Sequence, residues 1–221
     1  MNLTTRSPAL PVRRYQALRL SDLASTLYAQ LQPPNSYALG LAPDGLPVIA
    51  KIATTPNLLA TSDDMTNREN LLTTIAHTIN VPARVSAILV SRRTDIWDGI
   101  SPMVQLIKPA QLGTALQRHL QSGTQNRLVV LLDNLGAGWN VEMRSLALLT
   151  QAPQFQVVAT VNPRQALDYR SLFDKIIVGQ IHDFSTLFDL TAPTTLTTPP
   201  AIDQFAFRHQ SRWLTFTPAT P

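Results

Sequence analysis

The sequence contains no cysteine. That excludes disulfides and thiolate metal sites and leaves the redox compartment open. Nor does any stretch approach the ~18–20 consecutive apolar residues of a membrane-spanning helix, so no membrane span is expected. The N-terminus lacks a basic segment followed by an apolar one, so nothing signals export, and the cytoplasm is the expected location. Lysine is scarce: Lys51, Lys108 and Lys175 stand alone, and the other basic residues are arginine. Charged residues make up 14% of the 221 against 44% hydrophobic, which describes a globular chain with a weakly charged surface. Its length suits one large domain, or a core with appendages. The formal charge is +4, and arginine forms bidentate contacts to phosphate, so weak, non-specific DNA binding is left open. The arginines are scattered, adjacent only at Arg13-Arg14 and Arg92-Arg93. Arg92 and Arg93 are therefore the candidate DNA contacts.

Against those absences stands a regular order of apolar segments. Residues 1–17 read as a polar, proline-bearing tail. From Leu18 the positions Leu20, Leu23, Ala24, Leu27 and Leu31 follow helical spacing, with Ser21 or Asp22 placed to cap. "YALGLAPDGLPVIAKI" reads as two strands joined by a Pro-Asp-Gly turn. Strand and helix then alternate: a strand at Asn57–Ala60, a helix over Thr66–Ile79, a strand at Ser86–Ser91 and a helix over Ala110–Leu120. A strand at Arg127–Asp133, a helix over Glu142–Thr150, and strands at Phe155–Thr160 and Lys175–Gly179 complete the series. "RLVVLLD" is nearly all apolar, as a strand buried on both faces should be. The alternation predicts an α/β fold: a mainly parallel sheet with helices on both faces, plus the N-terminal helix and hairpin. The core domain is expected over 18–182. Residues 183–221 are expected to form a Thr/Pro-rich C-terminal extension ending in a strand, "RWLTFT".

The stretch "NLLATSDDMTNRENLLTTI" has the layout of a phosphate-binding loop, strand then turn then helix, yet its turn has neither glycine nor lysine. Read from the residues alone it is a helix start, with Thr66 as cap and Glu69, three residues on, completing a capping box.

The order of segments resembles the motor domain of the FtsK/HerA (FtsK/SpoIIIE-like) family of DNA-pumping P-loop ATPases. The resemblance runs from about Tyr37 to Gly179. It is carried by Gly45-Leu46-Pro47-Val48 leading into Pro56-Asn57-Leu58-Leu59, and later by "VVLLDN" and "VVATVNP". It implies a P-loop NTPase-like fold of the RecA/FtsK type. Laying the Walker A pattern G-x-x-x-x-G-K-[ST] on this register puts Ser62 and Asn67 at the glycines, Arg68 at the lysine and Glu69 at the hydroxyl residue. The glycines let backbone N–H groups wrap phosphate, the lysine reaches the β/γ oxygens and the hydroxyl ligates Mg²⁺. All four positions are changed, and Asp63 and Asp64 add negative charge. In the Walker B equivalent Asp133 is retained, but Asn134 stands where the family has its catalytic glutamate, and an amide cannot act as a base. Asn162 falls near the family's γ-phosphate-sensing polar residue.

Other chemistry is thinly represented. His77, His119, His182 and His209 have no metal-ligand spacing, no G-x-S-x-G occurs, and Trp97 and Trp139 suit packing over loops. The resemblance implies a catalytically inactive motor-like domain, a pseudo-ATPase that acts in assembly, scaffolding or regulation of a motor or a secretion or translocation complex. Its implied partners are copies of itself or a related active P-loop motor. No metal and no cofactor are expected; ATP and Mg²⁺ belong here only if the deviant site works. Two alternatives stay open beside it: an arginine-based DNA-binding module of a translocase, and an active ATPase with a deviant P-loop. An unrelated α/β domain whose loop is an ordinary helix start accounts for the same residues.

Overall fold

A computed structural model describes residues 17–81, 87–123, 127–136, 139, 143–192, 196, 198 and 200–221. The tail (1–16), with Arg13-Arg14, and the expected helix and strand starts at Glu142 and Ser86 lie outside the described residues. In chain order the elements are α1 (Leu20–Ala29), β1 (Ser36–Leu41), β2 (Pro47–Lys51), β3 (Leu58–Thr61), α2 (Met65–Thr78), β4 (Ala87–Val90), β5 (Val104–Ile107) and α3 (Leu112–Gln121). They continue with β6 (Leu128–Leu135), α4 (Met143–Gln151), β7 (Phe155–Val161), α5 (Pro163–Tyr169), β8 (Lys175–Val178), α6 (Phe184–Thr191), β9 (Phe205–His209) and β10 (Arg212–Phe216).

Eight strands form one sheet in the order β10-β9-β8-β3-β7-β6-β4-β5. From β8 to β5 every pairing is parallel, as strand–helix–strand crossovers require, and β9 and β10 close one side as an antiparallel hairpin. Alternate residues of β6 serve opposite faces. Leu128, Val130 and Leu132 pack with α3, α4, α5 and α6; Val129 and Leu131 pack with α2 and the β1–β2 hairpin. This is why the strand reads as a continuous apolar run. The fold is α/β, mainly parallel, with both faces covered. Outside α2 lies a third, smaller layer in which Leu23 and Leu27 of α1 meet Ala38 and Ala219.

Several expectations need correction. The C-terminal segment is part of the same sheet: β9 pairs with β8, and Phe205 and Phe216 are fully buried in the α2-side core. Its Thr/Pro composition hides α6, which is capped by Asp183 accepting from the Ser185 amide, and hides β9, with only five residues. The expected strand near "RWLTFT" is β10. The end of the chain straps the small layer down: Leu41 and Thr217 exchange backbone hydrogen bonds, and a Cβ on Gly40 would lie 2.1 Å from the Thr217 carbonyl oxygen. In α1 neither Ser21 nor Asp22 caps, because the helix already begins at Leu20, and Arg19 occupies the N-cap without a side-chain bond.

Candidate functional site

The C-terminal ends of β3, β4, β6 and β7 meet on one side of the sheet, and most of the sequence-predicted positions gather there. β3 ends at Thr61 and α2 begins at Met65, so the connection is only Ser62-Asp63-Asp64. Asp64 is the N-cap: its carboxylate accepts from the Thr66 amide at 2.9 Å, and its carbonyl accepts from the Arg68 amide at 3.4 Å. The expected capping box of Thr66 and Glu69 is therefore overturned. Aspartate is as good a cap as threonine and sits two residues earlier, where the chain leaves the strand. With the helix started this early, Asn67, Arg68 and Glu69 lie inside its first turns.

Their side chains turn inward. Asn67 is buried, and its amide donates to the Ile202 carbonyl at 3.0 Å. Arg68, 4% exposed, reaches back beneath the connection. One terminal guanidinium nitrogen donates to the Ser62 carbonyl and the other to the Asn134 side-chain oxygen at 3.4 Å; Nε has no partner among the described residues. Burial lowers the Arg68 pKa from its ordinary value, while the charges of Asp133, Glu69, Asp64 and Asp63 act to raise it. Glu69 forms an ion pair with Arg93, and that hydrogen bond raises the Arg93 pKa.

Asp133, at the end of β6, is 3% exposed. Its carboxylate accepts from the Ser91 hydroxyl at 2.6 Å. Burial pushes its pKa up from the ordinary carboxylate value, against the Ser91 hydrogen bond and the charge of Arg93. Ser91 is the partner that the sequence reading misses. The signal is its register: Val90 on β4 lies beside Leu132 on β6, so the next residues of the two strands are neighbours. Asn134 has a left-handed backbone (φ 49°) and its amide donates to the Thr160 hydroxyl at 2.9 Å. Asn162 caps α5, accepting from the Arg164 amide at 3.1 Å. A cavity of about 260 Å³ opens between Arg92, Arg93, Asp133, Asn134 and Trp139.

Ser62 is fully buried, hydrogen-bonded to the Gln180 carbonyl at 3.3 Å and pressed against Gly179, where a Cβ would meet the serine Cβ at 2.7 Å. Asp63 accepts from the His182 backbone amide at 2.7 Å and approaches its ring at 2.8 Å. Among the described residues no group of three or more His, Cys, Asp or Glu is placed to hold a metal ion, and no helix is long and apolar enough to cross a membrane.

No protein-family model matches the sequence, and no curated protein matches it either. Solved structures do. The cytoplasmic domain of EssC superposes with a TM-score of 0.70 at 16% identity, over 96% of this chain and 48% of that one. ATPases 2 and 3 of EccC from Thermomonospora curvata, solved with a signal sequence peptide, give 0.68 at 16% identity over 96% and 45%. The pCW3 conjugation coupling protein TcpA, a monomer form with ATPγS, gives 0.56 at 14% identity over 85% and 66%. The fold is the one that these structures share. At these identities the likeness speaks for the fold alone. The chain spans about half the length of the EssC and EccC structures, 48% and 45%.

Proposed function

We propose that this chain is a P-loop-fold domain whose nucleotide site has been replaced by an internal polar network, and that it acts in assembly or regulation of a larger secretion or translocation complex. The observation that carries the reading is Arg68. Its buried guanidinium bridges the β3–α2 connection and the end of β6, a gap that in an active P-loop belongs to phosphate and Mg²⁺.

A nucleotide does not fit the residues present. The backbone amides of Thr66 and Arg68 are already bonded to Asp64, so they cannot wrap a phosphate. Glu69 stands at the Mg²⁺ hydroxyl position and is paired with Arg93. Asp63 and Asp64 would bring further like charge against a triphosphate, at a cost of several kcal/mol in a partly desolvated site. Asn134 offers no base for water activation. The EccC structure holds two ATPases, 2 and 3, and this chain spans 45% of it, which supports a partner of the same kind: a further copy of this chain or a related active ATPase.

The DNA-binding alternative draws on Arg92 and Arg93, and the Arg93–Glu69 ion pair weakens it, because that guanidinium is already neutralised. Light scattering and duplex retention at two salt concentrations separate the readings. Self-association, with duplex binding no tighter than Kd ~10⁻⁴ to 10⁻⁶ M and falling steeply with salt, is the expected result. Nanomolar duplex binding that survives raised salt would replace the scaffold with a DNA module.

A further inference from the structure

The opposite end of the sheet carries a second feature that the P-loop reading does not use. β8 begins at Lys175, which lies beside Leu58 at the start of β3, so this end is a full strand away from the Ser62–Asp64 connection. Here a cleft of about 530 Å³ opens between the start of β8, the end of α6 and the β9–β10 hairpin. Its charged lining is Arg170, Lys175 and Arg208 against the single carboxylate of Asp174. Asp174 already accepts from the Asn57 amide at 2.9 Å. Arg170 is held in place by donating to the carbonyls of Asp189 at 2.9 Å and Ala192 at 2.5 Å, which end α6. Among the described residues the two remaining cations have no such engagement: Arg208 Nε is buried with no hydrogen-bond partner, and Lys175 enters no ion pair. Phe173 and Trp213 supply aromatic walls, with Trp213 directly across the hairpin from Arg208.

We propose that this cleft is a binding site for a small phosphomonoester bearing a planar ring. Three cations against one committed carboxylate leave an excess of two positive charges, which a phosphate dianion matches and a single carboxylate does not. Lys175 and Arg208 take the phosphate, and the ring lies against Trp213 and Phe173. The volume falls in the range of small-molecule sites, roughly 300–1,000 Å³. The site is independent of the β3–α2 loop, so its failure leaves the pseudo-ATPase reading where it stands.

The test is a titration of inorganic phosphate, phenyl phosphate and phenol into the folded protein, followed by calorimetry and by the Trp213 indole resonance. Phenyl phosphate is expected to bind, inorganic phosphate more weakly, and phenol not at all. Binding should strengthen as pH rises through about 6, where the second phosphate proton leaves. Lys175→Gln with Arg208→Gln should weaken phenyl phosphate by about tenfold or more, with each single variant intermediate. The singles keep the test decisive if the double variant loses its cooperative thermal melt. Phosphate and phenyl phosphate both failing to bind, or variants that bind as well as the parent, would overturn the proposal. Any ATP binding that is Mg²⁺-independent and lost in Lys175→Gln/Arg208→Gln belongs to this cleft and not to the loop.

Discussion

Arg68 ties the β3–α2 connection to the end of β6. In the P-loop ATPases that the sequence resembles, the position laid against it is a lysine that reaches phosphate. Here a longer, planar side chain folds back to bond the Ser62 carbonyl and the Asn134 side-chain oxygen. A guanidinium fits this role because its nitrogens diverge in a fixed fork, so one head can serve two acceptors. Arg68→Ala would remove charged hydrogen bonds and leave a void between the connection and β6. We expect a loss of about 2–4 kcal/mol in urea unfolding. A loss near zero would mean that the guanidinium is not structural. Asp133 supports a pH prediction. Burial holds its folded pKa above the unfolded value, so its favourable contribution is full below about pH 4 and is lost as pH rises through the folded pKa. Asp133→Asn keeps an acceptor for Ser91 and cannot ionise. The variant should gain stability relative to the parent between about pH 4 and 7, as measured by unfolding at several pH values. A gap that stays flat with pH would contradict the buried-charge assignment.

At the scale of the element, the β3–α2 unit shows what a sequence discloses and what it conceals. The strand–turn–helix order is legible because Leu58, Leu59 and Ala60 form an apolar run and Leu71, Leu72 and Ile75 share one helix face; all six are buried. The start of the helix is not legible from composition, since Asp64 and Thr66 are both competent caps and only the path of the chain out of β3 chooses between them. Asp64→Ala should therefore cost ~0.5–2 kcal/mol, while Thr66→Ala should stay within about 0.5 kcal/mol. Thermal melts of the two variants distinguish the caps, and the reverse order would restore the Thr66–Glu69 box. β5 escapes the sequence reading for a different reason. It is a four-residue edge strand with Gln105 exposed, and it shows neither alternation nor a continuous apolar run. Likewise α5 has seven residues, too few for a helical period to repeat.

At the scale of the molecule, the parallel core and its two covered faces follow from the alternation of strands and helices, so the fold class is legible. The sheet's far side is not. The order β10-β9-β8 depends on Phe205 and Phe216 burying against α2-side residues far away in sequence, and a Thr/Pro-rich stretch gives no local sign of that packing. The candidate site is legible as the set of positions that the resemblance singles out, and the structure brings Ser62, Arg68, Glu69, Asp133 and Asn134 together at one end of the sheet. Asn67 and Asn162 are drawn off into other bonds, with the Ile202 carbonyl and the α5 amide. What the sequence hides is that the remainder satisfy one another: Arg68 with Ser62 and Asn134, Glu69 with Arg93, Asp133 with Ser91. A calorimetric titration of ATP with and without Mg²⁺, run beside a hydrolysis assay, tests this account most directly. It predicts no turnover and no Mg²⁺-dependent binding at millimolar ATP. Micromolar, Mg²⁺-dependent binding competed by ADP would contradict it.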